Sequence, residues 1–270
     1  YKIPQTCTVV LHHNRNEVSA LRAKYPNLRI VMRAYTPRWT QEPAAAWARS
    51  IAQWMSELRA FGVRDVTWAN EQNLAVEGHH LGAPYQDSQY PPKALYLNIR
   101  DWNLDVIREL RALIPWATLH FPALSQGHAD DQADGQSYVG FEILRPAVEA
   151  CDVLDVHAYW NGAANRKDIY FGQRYKKIRA LFPNMRLFIS ECGSDVGQRN
   201  DDGADYIAWL NELPDYIEGA VFFIWDTTKN DDGTDQIWCI WNKPNIIAAF
   251  QNYQPSPTPI PPSPPPVQRL

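Results

Sequence analysis

The chain has 270 residues and a formal net charge of -4 at pH 7. This length is sufficient for one large α/β domain, since barrels of about 250 residues are ordinary single domains. The slightly acidic balance offers no basic surface for nucleic acid, and no apolar run approaches the roughly 20 residues needed to span a bilayer. We expect a monomer with neither a nucleic-acid partner nor a membrane span.

The cysteine pattern gives no sign of a metal site. Cys7, Cys151, Cys192 and Cys239 show neither CxxC nor CxxH spacing, which argues against structural zinc, and we expect no metal and no cofactor. Four cysteines allow three full pairings, between which the sequence does not choose, and in a secreted protein Cys192 and Cys239 can pair across neighbouring loops. Buried free thiols are the simpler expectation.

Strand-like and helix-like patterns alternate along the chain. Short apolar runs predict strands, and apolar residues spaced three or four positions apart predict helices. The predicted strands are 6–13, 28–36, a run that starts at 63, 117–125, 153–160, 186–192 and 219–225. The predicted helices are 16–24, 42–61, 93–114, 137–150, 167–182, 204–213 and 244–250. This alternation is typical of a parallel sheet covered by helices.

The strand count predicts an α/β fold of the (β/α)8 TIM-barrel type that lacks its first strand in this chain. Seven strands are predicted, whereas eight close such a barrel, so we expect the sequence to begin at the second strand. An open flavodoxin-like sheet is the alternative. It is disfavoured because the chain has no glycine-rich phosphate turn.

The end of the chain differs in composition from the rest. From Gln254 it reads QPSPTPIPPSPPPVQRL, and so many prolines favour extended polyproline II over helix or sheet. We therefore divide the chain into a barrel domain, 1–252, and a Pro-rich linker or tail, 253–270. The tail is expected to tether another module outside the cell, although no signal peptide is present in this chain. An intracellular SH3-type ligand is the alternative reading.

Two predicted strands end in a glutamate. The third strand ends in the polar residues Asn70, Glu71 and Asn73, and the sixth ends in Glu191. Because the carboxyl ends of parallel strands form the ligand-binding face of such folds, these side chains are expected to meet at one site. Two carboxyl groups in one site are suited to acid/base and nucleophilic chemistry.

The order of these motifs resembles that of glycoside hydrolase clan A, the retaining (β/α)8 glycosidases that include cellulase-like and family 39-like enzymes. In that clan an Asn-Glu pair ends the fourth strand and a Glu ends the seventh. With one strand missing at the front, the strands of Glu71 and Glu191 take those numbers. The resemblance implies that Glu71 is the general acid/base, that Glu191 is the nucleophile, and that Asn70 binds the sugar 2-hydroxyl.

Further positions match the clan one at a time, over roughly residues 6–250. His157 and Tyr159 resemble its His-x-Tyr motif, which implies a hydrogen bond from Tyr159 to the nucleophile. Trp225 matches an aromatic platform under the sugar, and Arg33 resembles a strand-end arginine near the nucleophile, a weaker correspondence. Gln72 departs from the pattern, because many members have Pro after the Asn-Glu pair.

We therefore expect a retaining hydrolase that cleaves β-glycosidic bonds of a poly- or oligosaccharide. The 11 Trp and 13 Tyr supply rings that can stack on sugars, although most are expected in the core. The alternative is a non-catalytic glycan-binding barrel in a modular extracellular protein. An acyl hydrolase is disfavoured, because the chain has no GxSxG nucleophile elbow.

Overall fold

The computed structural model describes most of the predicted barrel. The described residues are 8–11, 14–34, 42–82, 91–126, 129–131, 138–194, 203–222, 240 and 243–253. Trp225, Cys7, Cys239 and residues 254–270 of the predicted tail lie outside these ranges. Cys151 and Cys192 are both buried. None of the described helices is long and apolar enough to cross a membrane.

In the described part of the chain seven parallel strands form the sheet, and each pairs with the next one in sequence. Their bounds are β1 Thr8–Leu11, β2 Arg29–Arg33, β3 Asp65–Thr67, β4 Thr118–Phe121, β5 Val153–Trp160, β6 Arg186–Ser194 and β7 Ile217–Phe222. Cα atoms of β1 and β7 come within 8 Å of each other. The sheet therefore curls toward closure as a barrel, and the predicted fold with seven strands is confirmed.

Helices connect the strands and cover the sheet. Their bounds are α1 Arg15–Lys24, α2 Ala44–Leu58, α3 Ala75–Gly78, α4 Lys93–Leu113, α5 Gly140–Glu149, α6 Gly162–Arg166, α7 Arg174–Leu181, α8 Gly203–Asn211 and α9 Pro244–Asn252. Within the same described ranges, two 3₁₀ turns occupy Arg59–Phe61 and His79–Leu81. In α4 the buried side chains Ile99, Val106 and Leu110 form the apolar stripe that packs on the core.

One predicted helix begins too early. The pattern predicts a helix over 167–182, but only α7 is helical in that range, and residues 167–173 form a turn that follows α6. In that turn the Asp168 carboxylate accepts a hydrogen bond from the Tyr170 backbone N–H at 2.8 Å. A Cβ at Gly172 would lie 2.3 Å from the Arg166 carbonyl oxygen, so only glycine permits this close approach.

The third strand is also shorter than predicted. Only Asp65–Thr67 pairs with its neighbours, so the polar residues that follow lie in a loop beyond the strand. Glu71 has a positive φ of 35°, a left-handed conformation that an extended strand does not contain. The acidic side chain is therefore aimed by a loop rather than by the alternation of a strand.

The barrel interior has an apolar middle layer. Val31, Val153 and Phe188 are fully buried there and pack together. These residues come from β2, β5 and β6, and they are the kind of branched and aromatic side chains that fill small barrels.

An ionic floor lies beside this layer, toward the amino-terminal ends of the strands. It consists of Arg29, Asp65, His120, Asp155 and Glu218, one residue from each of five strands. Arg29 contacts Asp65 at 2.6 Å and Glu218 at 3.3 Å. The His120 ring lies 3.0 Å from Asp65 and 2.7 Å from Asp155. Each of the three carboxylates in this floor therefore contacts Arg29, His120 or both.

Candidate active site

Glu191 lies at the carboxyl end of the barrel, where three side chains surround it. Its carboxylate accepts a hydrogen bond from Arg33 at 2.5 Å and one from the Tyr159 hydroxyl at 2.8 Å. The His157 ring nitrogen Nδ1 lies 3.7 Å from the same carboxylate. These groups come from β2, β5 and β6, so the curled sheet itself brings them together.

The surroundings of Glu191 keep it ionised. Burial by itself would raise its pKa, but the charges of His157 and Arg33, with the hydrogen bonds from Arg33 and Tyr159, outweigh burial and lower the pKa below its ordinary value. Burial and the charge on Glu191 raise the pKa of Tyr159 well above its usual range. The phenol therefore stays protonated and donates to the carboxylate.

A bulge in β6 decides which way Glu191 points. Ile189 keeps the regular register with β5, but the next register pair joins His157 to Glu191 and passes over Ser190. Phe188 packs inside the barrel and Ile189 packs outside it. Strict alternation would place Ser190 inside and Glu191 outside. The extra residue turns Glu191 to the interior, as bulges beside active sites commonly do.

Glu71 faces the same space from the loop after β3. Its backbone N–H donates to the Ala123 carbonyl oxygen at 2.9 Å, and its Oε1 lies 2.8 Å from His157 Nδ1. The side chain of Glu71 is 21% exposed, against 8% for Glu191. Glu71 is thus the more accessible of the two carboxyl groups.

His157 joins the two glutamates. Its Nδ1 is 2.8 Å from Glu71 Oε1 and 3.7 Å from Glu191 Oε2. These two oxygens therefore lie no farther apart than the sum of the two distances, since both are measured from one atom. The structure therefore places two carboxyl groups, one held ionised and one more exposed, beside the same imidazole nitrogen.

Two other predicted site residues have different positions. Asn70 precedes Glu71 and is half-buried, and its Oδ1 makes no hydrogen bond to the described residues. Asn73 does not line the site. Its side-chain oxygen accepts from the Ser125 backbone N–H at 2.8 Å, and its amide donates to the Ser125 carbonyl at 3.4 Å. Asn73 therefore joins two loops, which corrects its prediction as a site residue.

Sequence reasoning missed Gln126, which supports the site from the loop after β4. Its side-chain carbonyl accepts from the Tyr159 backbone N–H, and its amide donates to the Tyr159 carbonyl at 3.3 Å. A polar residue just beyond a predicted strand end was the available signal. Within the described ranges, no group of three or more His, Cys, Asp or Glu side chains is arranged to hold a metal ion.

No protein-family model and no curated protein matches the sequence. Solved structures do match the fold. An endo-β-1,3-glucanase of family GH128, subgroup IV, from Lentinula edodes gives a TM-score of 0.51 at 12% identity, with 91% of this chain and 99% of that chain covered. A GH128 subgroup I endo-β-1,3-glucanase from Amycolatopsis mediterranei, bound to laminaritriose and laminaribiose, gives 0.53 at 14% identity, with 84% and 83% covered.

A β-glucuronidase from Bacteroides uniformis gives a TM-score of 0.59 at 10% identity, covering 86% of this chain but only 28% of that longer chain. Identities this low show a shared fold and leave the reaction to be argued from the site. The chain has a TIM-barrel fold, which it shares with these two glucanases and this glucuronidase.

Proposed function

We propose that the protein is a retaining glycoside hydrolase that cleaves β-glycosidic bonds, with Glu71 as general acid/base and Glu191 as nucleophile. The observation that carries the proposal is the shared contact of both carboxylates with His157 Nδ1, at 2.8 and 3.7 Å. The sum of those distances lies at the lower limit of the roughly 6.5–9.5 Å separation of inverting enzymes. An actual separation below that sum favours the retaining mechanism, which uses about 5 to 5.5 Å.

In the first step Glu191 attacks the anomeric carbon, and the bond from that carbon to the glycosidic oxygen breaks. Protonated Glu71 gives its proton to the departing oxygen, so the leaving group departs as a neutral alcohol. Arg33 and Tyr159 keep the attacking carboxylate ionised and fixed in direction. The products of this step are a glycosyl ester on Glu191 and an ionised Glu71.

In the second step Glu71 acts as a base. It takes a proton from a water molecule, whose oxygen attacks the anomeric carbon and displaces Glu191. Two displacements at one carbon return the β configuration. Loss of the negative charge on Glu191 during the ester stage favours ionised Glu71, because two neighbouring carboxylates no longer repel each other.

The substrate we propose is a β-linked poly- or oligosaccharide, and β-1,3-glucan is the first to test. Two of the structures with the same fold are named endo-β-1,3-glucanases. The third is named a β-glucuronidase, so glucuronides belong in the same panel.

The test is hydrolysis of β-1,3-glucan oligosaccharides, other β-glucans and aryl β-glycosides, with proton NMR of the first-formed product. Glu71→Gln and Glu191→Gln are each expected to lower activity by about 10²-fold or more, because a positioned acid or base contributes about 10²–10⁴. Glu149→Gln, at an exposed position of α5, is the control. A first-formed α anomer would contradict the mechanism, and binding without cleavage by the wild type would favour a glycan-binding barrel.

Azide separates the two roles. In Glu71→Ala, azide needs no base and attacks the glycosyl ester, which gives a β-glycosyl azide. In Glu191→Ala, azide replaces the missing nucleophile and gives the α-glycosyl azide. The opposite assignment of anomers would mean that the roles of the two glutamates are exchanged.

A further inference from the structure

The loop that carries Glu71, residues 68–74, is fastened to the rest of the barrel at several points; we name it the acid/base loop. The Glu71 backbone N–H donates to Ala123, and the Asn73 side chain binds the Ser125 backbone. A third attachment comes from α4. It is formed by Asn103, which lies 32 positions after Glu71 in the sequence.

Asn103 is fully buried, and all of its polar atoms are used. Its Oδ1 accepts a hydrogen bond from the Trp68 indole N–H at 2.8 Å. Its Nδ2 donates to Gln72 Oε1 and to the Ile99 carbonyl, each at 2.8 Å. Trp68 opens the acid/base loop and Gln72 follows Glu71, so one side chain holds the loop on both sides of the glutamate.

The held residue has an unusual backbone. Glu71 is the only non-glycine residue with positive φ in the described part of the chain. Such a conformation persists when the surrounding structure determines it, and it is common where a side chain must be aimed. Trp68 and Gln72 are both fully buried, so the hydrogen bonds of Asn103 act in a dry environment, where lost partners are costly.

We propose that Asn103 is a positioning residue that aims Glu71 as acid/base through Gln72 and Trp68. The inference rests on the proposed function of Glu71. Asn103 does not touch the reacting atoms. Its effect is on the direction and distance from which Glu71 delivers its proton, and small misplacements of such a group reduce rates strongly.

The first test compares leaving groups. Gln72→Met keeps the size of the side chain and removes the acceptor for Asn103, whereas Gln72→Glu keeps an acceptor oxygen. The control is Asn98→Leu, in the same helix, whose amide donates to the Leu81 carbonyl at 2.8 Å. Asn103→Leu is a stronger variant, and Gln72→Met preserves the test where Asn103→Leu does not fold.

In Gln72→Met and Asn103→Leu, kcat/KM for a β-1,3-linked glucose disaccharide should fall by about 10- to 100-fold, since its leaving oxygen needs a proton. For 2,4-dinitrophenyl β-glucoside, whose leaving group departs without a proton, kcat/KM should change by less than about threefold. Gln72→Glu should lose less kcat/KM on the disaccharide than Gln72→Met does. Asn98→Leu should change kcat/KM by the same factor for both substrates. Equal losses on both substrates in Gln72→Met would overturn the proposal.

The second test needs no activity. Hydrogen exchange of the Glu71 backbone amide reports the bond to Ala123, and we expect it to accelerate about tenfold or more in Gln72→Met and Asn103→Leu. It should match the wild type in Asn98→Leu. An unchanged exchange rate in Gln72→Met and Asn103→Leu overturns the positioning role, whereas a wild type that cleaves no glycoside overturns the proposed function instead.

Discussion

Tyr159 is a neutral hydrogen-bond donor to Glu191, so its hydroxyl can be removed without removing a charge from the site. The Tyr159 hydroxyl donates to Glu191 Oε2 at 2.8 Å. This bond is one of the causes that lower the pKa of Glu191 against the opposing effect of burial. Its loss leaves Arg33 and His157 as the groups that favour the ionised form.

Tyr159→Phe is therefore expected to lower kcat/KM by about 10-fold or more, since a hydrogen bond to a charged group is worth about 1.5–3 kcal/mol. The pKa of Glu191 rises toward its ordinary value, so the acidic limb of the pH profile of kcat/KM moves to higher pH. The control is Tyr170→Phe, at a half-exposed tyrosine. A lower rate with an unmoved acidic limb would contradict the assigned cause.

The backbone of Glu71 gives a second prediction at the residue scale. Glycine adopts φ of 35° without the steric cost that alanine incurs there. Glu71→Gly is therefore expected to be more stable than Glu71→Ala by about 1 kcal/mol in urea unfolding. At Glu57, exposed within α2, the order should reverse by a similar amount. If the alanine variant is more stable than the glycine variant at both positions, this result contradicts the left-handed backbone conformation of Glu71.

Among the elements, α7 is joined to the site by Arg174. This buried guanidinium binds the Asp130 carboxylate at 2.5 and 2.6 Å. It also donates to the carbonyls of Leu124, Ser125 and His157, at 2.8, 3.1 and 3.2 Å. One side chain therefore connects α7, β5 and the loop after β4.

Arg174→Met should destabilise the protein by about 3–5 kcal/mol, because Asp130 is left buried with an uncompensated charge. Urea unfolding measures the loss. The control is Arg108→Met, which removes an exposed ion pair with Asp105 and should cost less than about 1 kcal/mol. A similar cost at both positions would mean that the bonds of Arg174 are replaced when it is removed.

Much of the element pattern could be predicted from the sequence. Strands of a barrel are buried on both faces, so each one is a short apolar run, and β5 matches its prediction at 153–160. The break between α6 and α7 could not be predicted, because it depends on the close approach of Gly172 to Arg166. Local spacing carries no information on that contact.

Part of the candidate site could also be predicted from the sequence. Strand-end position is sufficient to nominate Glu71 and Glu191, since the carboxyl ends of parallel strands converge. The contact of both glutamates with His157 could not be predicted from the sequence, because it depends on the bulge at Ser190, which turns Glu191 inward. The support from Asn103 was hidden too, since a polar residue in a predicted helix is more commonly solvated.

On the scale of the whole molecule, the ionic floor links five strands and makes folding depend on pH. Burial alone would lower the pKa of His120, but Asp155 and Asp65 outweigh it and raise the pKa to about 9. Burial alone would raise the pKa of Asp65, but His120 and Arg29 lower it to about 2. The folded state therefore holds the His120 proton more tightly than the unfolded chain does.

The free energy of unfolding should accordingly be highest near neutral and mildly acidic pH. The contribution of His120 is complete below about pH 6.5, the unfolded value, and is lost as the pH rises through 9. This decline has a limiting slope of about 1.4 kcal/mol per pH unit for one proton. The contribution of Asp65 is present above its unfolded pKa and is lost as the pH falls toward 2.

Urea unfolding between pH 5 and 10 measures the alkaline decline, and NMR titration of the His120 ring reports its midpoint directly. His120→Gln is the matched variant, since it keeps a hydrogen-bonding side chain without a titrating group. Its unfolding free energy should vary less over the same range. A His120 midpoint near the ordinary value of about 6.5 would contradict the role given to the floor.

The bulge in β6 decides which single-residue changes the site should tolerate. In the observed register Glu191 already lies opposite His157, so deletion of Ser190 removes the bulge and leaves Glu191 facing the barrel interior. A slow glycosyl donor, followed by mass spectrometry, should therefore label Glu191 in the wild type and in the deletion alike, and an unlabelled Glu191 in the deletion would contradict this register. Related chains can differ by one residue at this position and still keep both glutamates inside the barrel, so a motif search that fixes the spacing in front of the second glutamate would miss them.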